Sequence, residues 1–81
     1  MAAPALDLST EDKARAAILD ALKRDDKEGF KKVVSQRILT AHAKDFDAWY
    51  AVWKAGADKS PEKFKKITVN KDGTDYKLDE N

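Results

Sequence analysis

The chain has 81 residues, enough for one domain with a single small core. Its 16 basic and 15 acidic residues leave a net charge of +1, which argues against a dedicated nucleic-acid binder, because such proteins carry excess positive charge. The sequence contains no cysteine, which excludes disulfides and thiolate chemistry, and no run near the ~20 apolar residues of a transmembrane helix.

The first eight residues predict an extended lead-in, because Pro4 disfavours a helix there. The opening Met-Ala-Ala-Pro-Ala-Leu lacks the basic start and the apolar centre of a signal peptide. A small-residue opening is typical of mature exported proteins, although many cytoplasmic proteins begin in the same way. We therefore expect an exported, periplasmic location slightly more than a cytoplasmic one, and the sequence leaves the compartment open.

Two amphipathic helices are predicted next. A capping box at Ser9 to Asp12 opens the first helix, whose apolar positions repeat at helical spacing over about 10–24. A second capping signal at 25–28 opens another helix, and the short connection favours an antiparallel helical hairpin. Residues 40–44 either continue this helix or link it to the next. The apolar face of the second helix comprises Phe30, Val33, Val34, Ile38 and Ala41.

A third, aromatic helix is predicted from Asp45 to Gly56, with the glycine as a left-handed cap. Its four aromatic residues fall within a stripe ~100° wide on one helix face. They are Phe46, Trp49, Tyr50 and Trp53.

The stripe has two interpretations. Either the four rings form the centre of the core, or one or two of them, such as Trp49 or Tyr50, remain exposed as anchors for a partner. Both hold together if Trp53 is buried and Trp49 lies at the rim. The candidate partner-binding residues are therefore Trp49, Tyr50 and Trp53.

The C-terminal part changes period. Ser60 and Pro61 predict an N-cap and a short helical turn over about 61–66. Residues 67–69 and 76–78 then alternate apolar with polar around a turn containing Gly73, which predicts a β-hairpin. A lone hairpin is barely stable in water, so it must pack on the helices or join a larger sheet.

The predicted fold class is therefore α+β: a helical hairpin, an aromatic third helix, a short helical turn and a C-terminal two-stranded antiparallel β-hairpin packed on the helices. The single domain spans residues 9–78, and residues 79–81 form a tail that we expect to fray. An open hairpin edge invites pairing with a second chain.

No pattern in the sequence indicates catalysis. His42 is the one histidine, and no carboxylate spacing around it suggests a metal site. Ser35 is seven residues from His42, about two helical turns or ~10 Å along a helix axis, which disfavours a catalytic pair. Residues 70–75 resemble a calcium loop only superficially, since Thr68 stands where the first aspartate should be. We expect no enzyme activity, no catalytic residue, no cofactor and no metal.

A lysine run follows the aromatic helix and is interrupted by Glu62, with Phe64 among the lysines. A basic patch beside an aromatic ring is a possible contact for RNA or an acidic partner, whereas a solvated face is the commoner reason for such a run. The residues of this possible polyanion patch are Lys59, Lys63, Lys65, Lys66 and Lys71.

Residues 16–35, which pass from one helix into a second helix bearing Phe30, resemble the opening of cystatin-like and nuclear-transport-factor-like domains of the small bacterial lipoprotein type. Residues 66–73 look like the first sheet hairpin of such a fold, so the resemblance spans 9–78. It implies a curved sheet of at least four strands, whereas two are predicted here. The chain would then be a minimal version that completes its sheet between chains, and no family site residue can be transferred.

These observations favour a non-catalytic protein-interaction or accessory domain that uses the aromatic helix face or the open hairpin edge. Its partner would be another protein or a second copy of the chain, and nucleic acid is disfavoured. One alternative is a polyanion binder that uses the lysines of 59–71. Another is a small-ligand pocket of the transport-factor-like type, lined by the aromatic residues.

Overall fold

The computed structural model describes residues 6–79, and this part of the chain has the α+β architecture that the sequence predicts. No helix in this range is long and apolar enough to cross a membrane. The elements are α1 (Glu11–Lys23), α2 (Lys27–Lys32), α3 (Gln36–Ala41), α4 (Phe46–Lys59), the 3-10 helix η1 (Pro61–Lys66), β1 (Val69–Asp72) and β2 (Asp75–Leu78).

Helix α1 forms the centre of the fold and packs against α2, α4, η1 and both strands. Its N-cap is Thr10, one residue later than expected: the Thr10 side chain accepts a hydrogen bond from the Lys13 amide at 3.1 Å. The Ser9 hydroxyl instead donates to Asp7 at 2.7 Å. The buried face of α1 is half alanine, which lets neighbouring elements approach closely; it comprises Ala14, Ile18, Ala21 and Leu22.

The predicted continuous second helix is wrong, because the chain leaves the helical conformation between α2 and α3. There the Leu78 amide donates to the Val33 carbonyl at 2.8 Å, and the Ser35 amide donates to the Leu78 carbonyl at 2.9 Å. The backbone of 33–35 thus completes one edge of β2. The Ser35 hydroxyl then caps α3 by accepting from the Ile38 amide at 3.3 Å.

The expected end of the aromatic helix at Gly56 is also wrong. Helix α4 continues to Lys59, and among residues 6–79 the only glycine with a positive φ is Gly73. The Ser60 amide donates to the Gly56 carbonyl at 2.8 Å, and Ala57 is completely buried. Burial of Ala57 explains why the helix runs on. Ser60 precedes η1 as predicted, but its side chain makes no capping hydrogen bond.

The β-hairpin is confirmed, with Gly73 at a φ of 76° in the turn and Val69 paired with Leu78. Strand β1 begins at Val69 rather than at Ile67. One edge of the hairpin is covered, because the Tyr76 amide donates to the Leu8 carbonyl at 2.9 Å and residues 33–35 pair with Leu78. Within residues 6–79, the other edge, on β1, pairs with no further strand.

Both ends of the described range are tied to this hairpin. In the lead-in, Leu8 is buried and Leu6 is exposed, and residues 1–5 lie outside the described residues. At the other end, the Asp79 carboxylate accepts hydrogen bonds from the Arg37 side chain, from the Ser35 hydroxyl at 3.2 Å and from the side-chain amide of Asn70 at 3.3 Å. The expected fraying therefore does not extend to Asp79. Residues 80–81 of the predicted tail lie outside the described residues.

Candidate functional site

Three of the four aromatic residues of α4 pack against a phenylalanine from α2. Phe30 is completely buried, and its ring centroid lies 5.6 Å from that of Trp49 and 5.4 Å from that of Tyr50. The half-buried Phe46 ring lies 6.4 Å from Phe30. The N-terminal half of α4 therefore supplies the core, as the first interpretation of the stripe predicts.

Tyr50 is fixed inside this core by a hydrogen bond to the turn between α1 and α2. Its hydroxyl donates to the Asp25 carboxylate at 2.7 Å. Burial raises the pKa of Tyr50 well above its usual value, and the hydrogen bond to Asp25 raises it further. Asp25 adopts a φ of 53°, so a non-glycine residue holds a left-handed conformation here. Tyr50 thus serves packing, and its ring is not available as a surface anchor.

The two tryptophans take the opposite arrangement to the one expected. Trp49 is buried at 9% exposure, whereas Trp53 is half-buried at the rim of the core. The Trp53 ring meets the rings of Trp49 and Phe64 edge to face, at centroid distances of 6.2 and 5.7 Å. Next to it, Val52 is 72% exposed. Of the three candidate partner-binding residues, only Trp53 is therefore accessible enough to anchor a partner.

Trp53 borders a groove between α4 and η1 with a volume of about 600 Å³, which lies within the range of ~300–1,000 Å³ usual for ligand-binding clefts. We call it the α4–η1 groove. Its lining is mainly apolar, and its charged groups are basic. The lining residues are His42, Trp49, Val52, Trp53, Ala55, Gly56, Lys59, Ser60, Lys63, Phe64 and Ile67.

Gly56 keeps the α4–η1 groove open. It lies inside α4 with helical backbone, where glycine costs up to ~1 kcal/mol relative to alanine. A Cβ atom at this position would meet only the Phe64 side chain, at an ordinary contact distance of 3.9 Å. Neither the backbone conformation nor the packing requires glycine here. The absence of a side chain at residue 56 instead leaves open the part of the groove beside the Phe64 ring.

The lysine run does not form one continuous patch. Lys59 and Lys63 line the α4–η1 groove, whereas Lys65 lines a separate depression between α1 and η1, beside Arg15. Lys71 lies on the hairpin, with its ammonium 5.6 Å from the centroid of the Tyr76 ring. The possible polyanion patch is therefore divided among at least two surfaces, and its groove-lining part is the pair Lys59 and Lys63.

The side chains of His42 and Ser35 both make contacts within the fold. The His42 ring stacks on Trp49 at a centroid distance of 4.5 Å, and its Nδ1 lies 3.2 Å from the Asp45 carboxylate. The Ser35 hydroxyl caps α3 and contacts Asp79. Among residues 6–79, no group of three or more His, Asp or Glu side chains is placed to hold a metal ion.

The contributions of three residues to the groove were missed from the sequence. Val52 is a single apolar residue on the polar side of the stripe, and Gly56 was interpreted as a helix end. A signal for the second was present, since the residues after Gly56 are compatible with a helix and Pro61 occurs five positions later. The contribution of Ile67 also depends on tertiary structure, because it was assigned to the hairpin.

No family model, curated protein or solved structure matches this chain. The resemblance of residues 9–78 to cystatin-like and nuclear-transport-factor-like domains therefore remains a prediction.

Proposed function

We propose that this chain is a non-catalytic protein-interaction domain and that the α4–η1 groove is its contact surface. The observation that carries the proposal is the half-exposed Trp53, which contacts the Phe64 ring and lines the groove together with the exposed Val52 and with Gly56. Tryptophan is among the residue types that most often dominate binding energy at interfaces, especially where a partner side chain fills an adjoining pocket.

The composition of the groove supports binding rather than catalysis. Its walls are aromatic and aliphatic, and its polar groups are the termini of two lysines, an imidazole and the Ser60 hydroxyl. An apolar cleft with a few polar groups at its border is the usual form of a recognition site. The imidazole already stacks on Trp49 and contacts Asp45, so it is held as a wall of the groove.

Gly56 gives the proposal an energetic argument. A larger helix-forming residue at this position would cover Phe64 and Trp53 and would favour α4. With glycine, the chain has neither the added apolar burial nor the higher helix propensity, although the backbone conformation does not require glycine. An occupant that fills the groove on binding would recover the apolar burial, at ~25 cal/mol per Å² before the costs of association are subtracted.

The β1 edge is the second place where the chain could associate. It offers only the four residues Val69–Asp72, which include Lys71, and a charged residue on a short edge disfavours pairing. The Arg15 side chain also donates to the Ile67 carbonyl at 2.9 Å, just before the strand begins. Self-association through the hairpin is therefore the lesser candidate, and analytical ultracentrifugation across a concentration series tests it directly.

Selection from a displayed library of short random peptides tests the groove. Peptides enriched on the wild-type chain should be lost on Gly56→Gln, which fills the groove floor with a helix-compatible side chain. They should be retained on Ala51→Gln, a matched control at an exposed position of α4 outside the groove. Circular dichroism must first show that both variants fold. Peptides that bind Gly56→Gln as well as wild type, or no enrichment at all, would overturn the proposal.

A further inference from the structure

We infer that the segment bound in the α4–η1 groove is an acidic peptide with one bulky apolar side chain; this inference rests on the proposed function. The groove joins two kinds of surface that a single short segment can match. Its apolar part surrounds Trp53, and its basic part is formed by Lys59 and Lys63. The partner's chemistry follows from the charge of the groove and from the spacing of these two parts.

The charge of the groove is one-sided. No carboxylate belongs to its lining, although the whole chain is nearly neutral. The nearby Asp58 lies 3.6 Å from Lys54, and Glu62 is exposed outside the groove. The Asp45 carboxylate contacts the His42 wall at 3.2 Å but does not belong to the lining, so the ammonium groups of Lys59 and Lys63 are the charged groups that face the groove.

Within the described residues, the two groove lysines also lack ion-pair partners. Six other lysines in this part of the chain are likewise unpaired, so Lys59 and Lys63 are distinguished by lining the same groove. Lys59 lies in the last turn of α4 and Lys63 in the last turn of η1, where a cation complements the helix dipole, but neither ammonium group has a carboxylate partner within the described residues. Two ammonium groups without a carboxylate at one rim favour an acidic group on the occupant.

The spacing indicates how the occupant is arranged. Trp53 and Lys59 are six residues apart on α4, which corresponds to about 9 Å along a helix axis. A partner carboxylate should therefore lie about 9 Å from the partner's apolar anchor. That distance is spanned by roughly three residues of an extended peptide or by two turns of a helix.

An acidic peptide fits these observations better than a nucleic acid. Neutralising a phosphate backbone needs a track of positive charge, and its affinity grows with each phosphate that is contacted. Here Lys65 and Lys71 lie on other surfaces, so the groove presents two lysines beside a single half-exposed ring. Two cations and an apolar cleft match a carboxylate and an apolar side chain on one short segment.

Three displayed peptide libraries test the inference. They share a random apolar-containing centre and differ only in fixed flanks of glutamate, serine or lysine. Each exposed ion pair changes affinity by roughly 1.5- to 5-fold, so the best glutamate-flanked peptides should bind about 2- to 25-fold more tightly than their serine-flanked equivalents. This advantage should vanish in Lys59→Gln/Lys63→Gln and near 1 M salt, where the Debye length is ~3 Å.

The matched control is Lys23→Gln/Lys32→Gln. Both lysines are exposed, lie in the last turn of a helix and are outside the groove, so this variant should keep the advantage of acidic flanks. Equal binding of all three flank types, with dependence on Gly56 intact, would overturn the acidic partner and leave the proposed function standing. If no peptide depends on Gly56 for binding, both the acidic partner and the proposed function would be overturned. Tighter, Trp53-dependent binding of an oligothymidylate than of glutamate-flanked peptides would assign the groove to nucleic acid instead.

Discussion

Replacing Gly56 by alanine should stabilise the protein, although the sequence alone predicts the opposite. The structure places Gly56 inside α4 with helical backbone, and a new Cβ would meet only Phe64, at 3.9 Å. Glycine inside a helix costs about 0.5–1 kcal/mol relative to alanine, and here no clash offsets the gain. The free energy of unfolding should therefore rise by about 0.5–1 kcal/mol.

This change is large enough to measure. For a domain of this size, 1 kcal/mol shifts Tm by about 4–8 °C, so Gly56→Ala should raise Tm by roughly 2–8 °C. Thermal and urea unfolding followed by circular dichroism would report it, with the urea m-value unchanged because the surface exposed on unfolding hardly differs. If Gly56 were a left-handed cap, alanine would instead destabilise the fold by about 1 kcal/mol. A fall in Tm would therefore refute the continuation of α4 to Lys59.

The other two glycines of the chain provide internal controls of opposite sign. At Gly29, a Cβ would press on the Asp26 carboxylate, which accepts the Gly29 amide at 3.0 Å and caps α2. Gly29→Ala should therefore lose up to the ~0.5–2 kcal/mol of a helix cap, and the higher helix propensity of alanine in α2 offsets about 0.5–1 kcal/mol of this loss. At Gly73, φ is 76°, and alanine should destabilise the hairpin by about 1 kcal/mol because of backbone strain. Uniform responses at the three positions would contradict the structural assignment.

Three further predictions concern single side chains. The raised pKa of Tyr50 means that its contribution is intact below pH ~10 and is lost as pH rises further, so alkaline unfolding should be less pH-dependent in Tyr50→Phe. Burial opposes ionisation of Asp79, but hydrogen bonds from Arg37 and its neighbours lower the pKa of Asp79 overall. The contribution of Asp79 to the free energy of unfolding should therefore be present above pH ~4 and fall on acidification. Asp79→Asn should lose about 1–2 kcal/mol of stability at pH 7 and should make stability less dependent on pH in acid. In iodide quenching, Trp49→Phe should leave a quenchable Trp53, and Trp53→Phe a shielded Trp49; equal quenching would contradict their assigned burial.

The sequence was sufficient to predict those elements whose structure depends on residues close together in the chain. Helix α1 follows from a capping signal and a regular apolar face, and the hairpin follows from alternation around Gly73. Both features are encoded within about a dozen residues. Their boundaries were correct to within about two residues: the N-cap of α1 is Thr10 and not Ser9, and β1 begins at Val69 and not at Ile67.

The break between α2 and α3 depends instead on a contact distant in sequence. Phe30, Val34 and Ile38 keep helical spacing through the break, so periodicity predicts one helix. The competing structure gains backbone hydrogen bonds between residues 33–35 and Leu78, which no local pattern reveals. Two β-branched residues followed by a capping serine are the one local indication, since valine favours extended backbone and Ser35 begins a new helix.

The exposure of the tryptophans could not be inferred from their angular positions. Trp49 and Trp53 are one helical turn apart on the same face, so a helical projection treats them alike. Their difference arises along the axis of α4, because the Trp49 ring reaches Phe30 in the core whereas Trp53 meets only Trp49 and Phe64 at the rim. Where along a helix the core ends is decided by the partners it packs against.

The α4–η1 groove lies at the point along α4 where the core ends. Beyond Trp49, α4 keeps one side buried through Ala57, while the side facing η1 carries Trp53 and Gly56. A domain this small buries a modest share of its surface, so a large residue at position 56 would be an accessible way to gain stability. Instead, Trp53 remains half-exposed in the groove beside Gly56. Two lysines at the rim of the groove form no ion pair within the described residues. Stability gained from Gly56→Ala, together with loss of bound peptide in Gly56→Gln, would show that this position is kept small for an occupant and not for the fold.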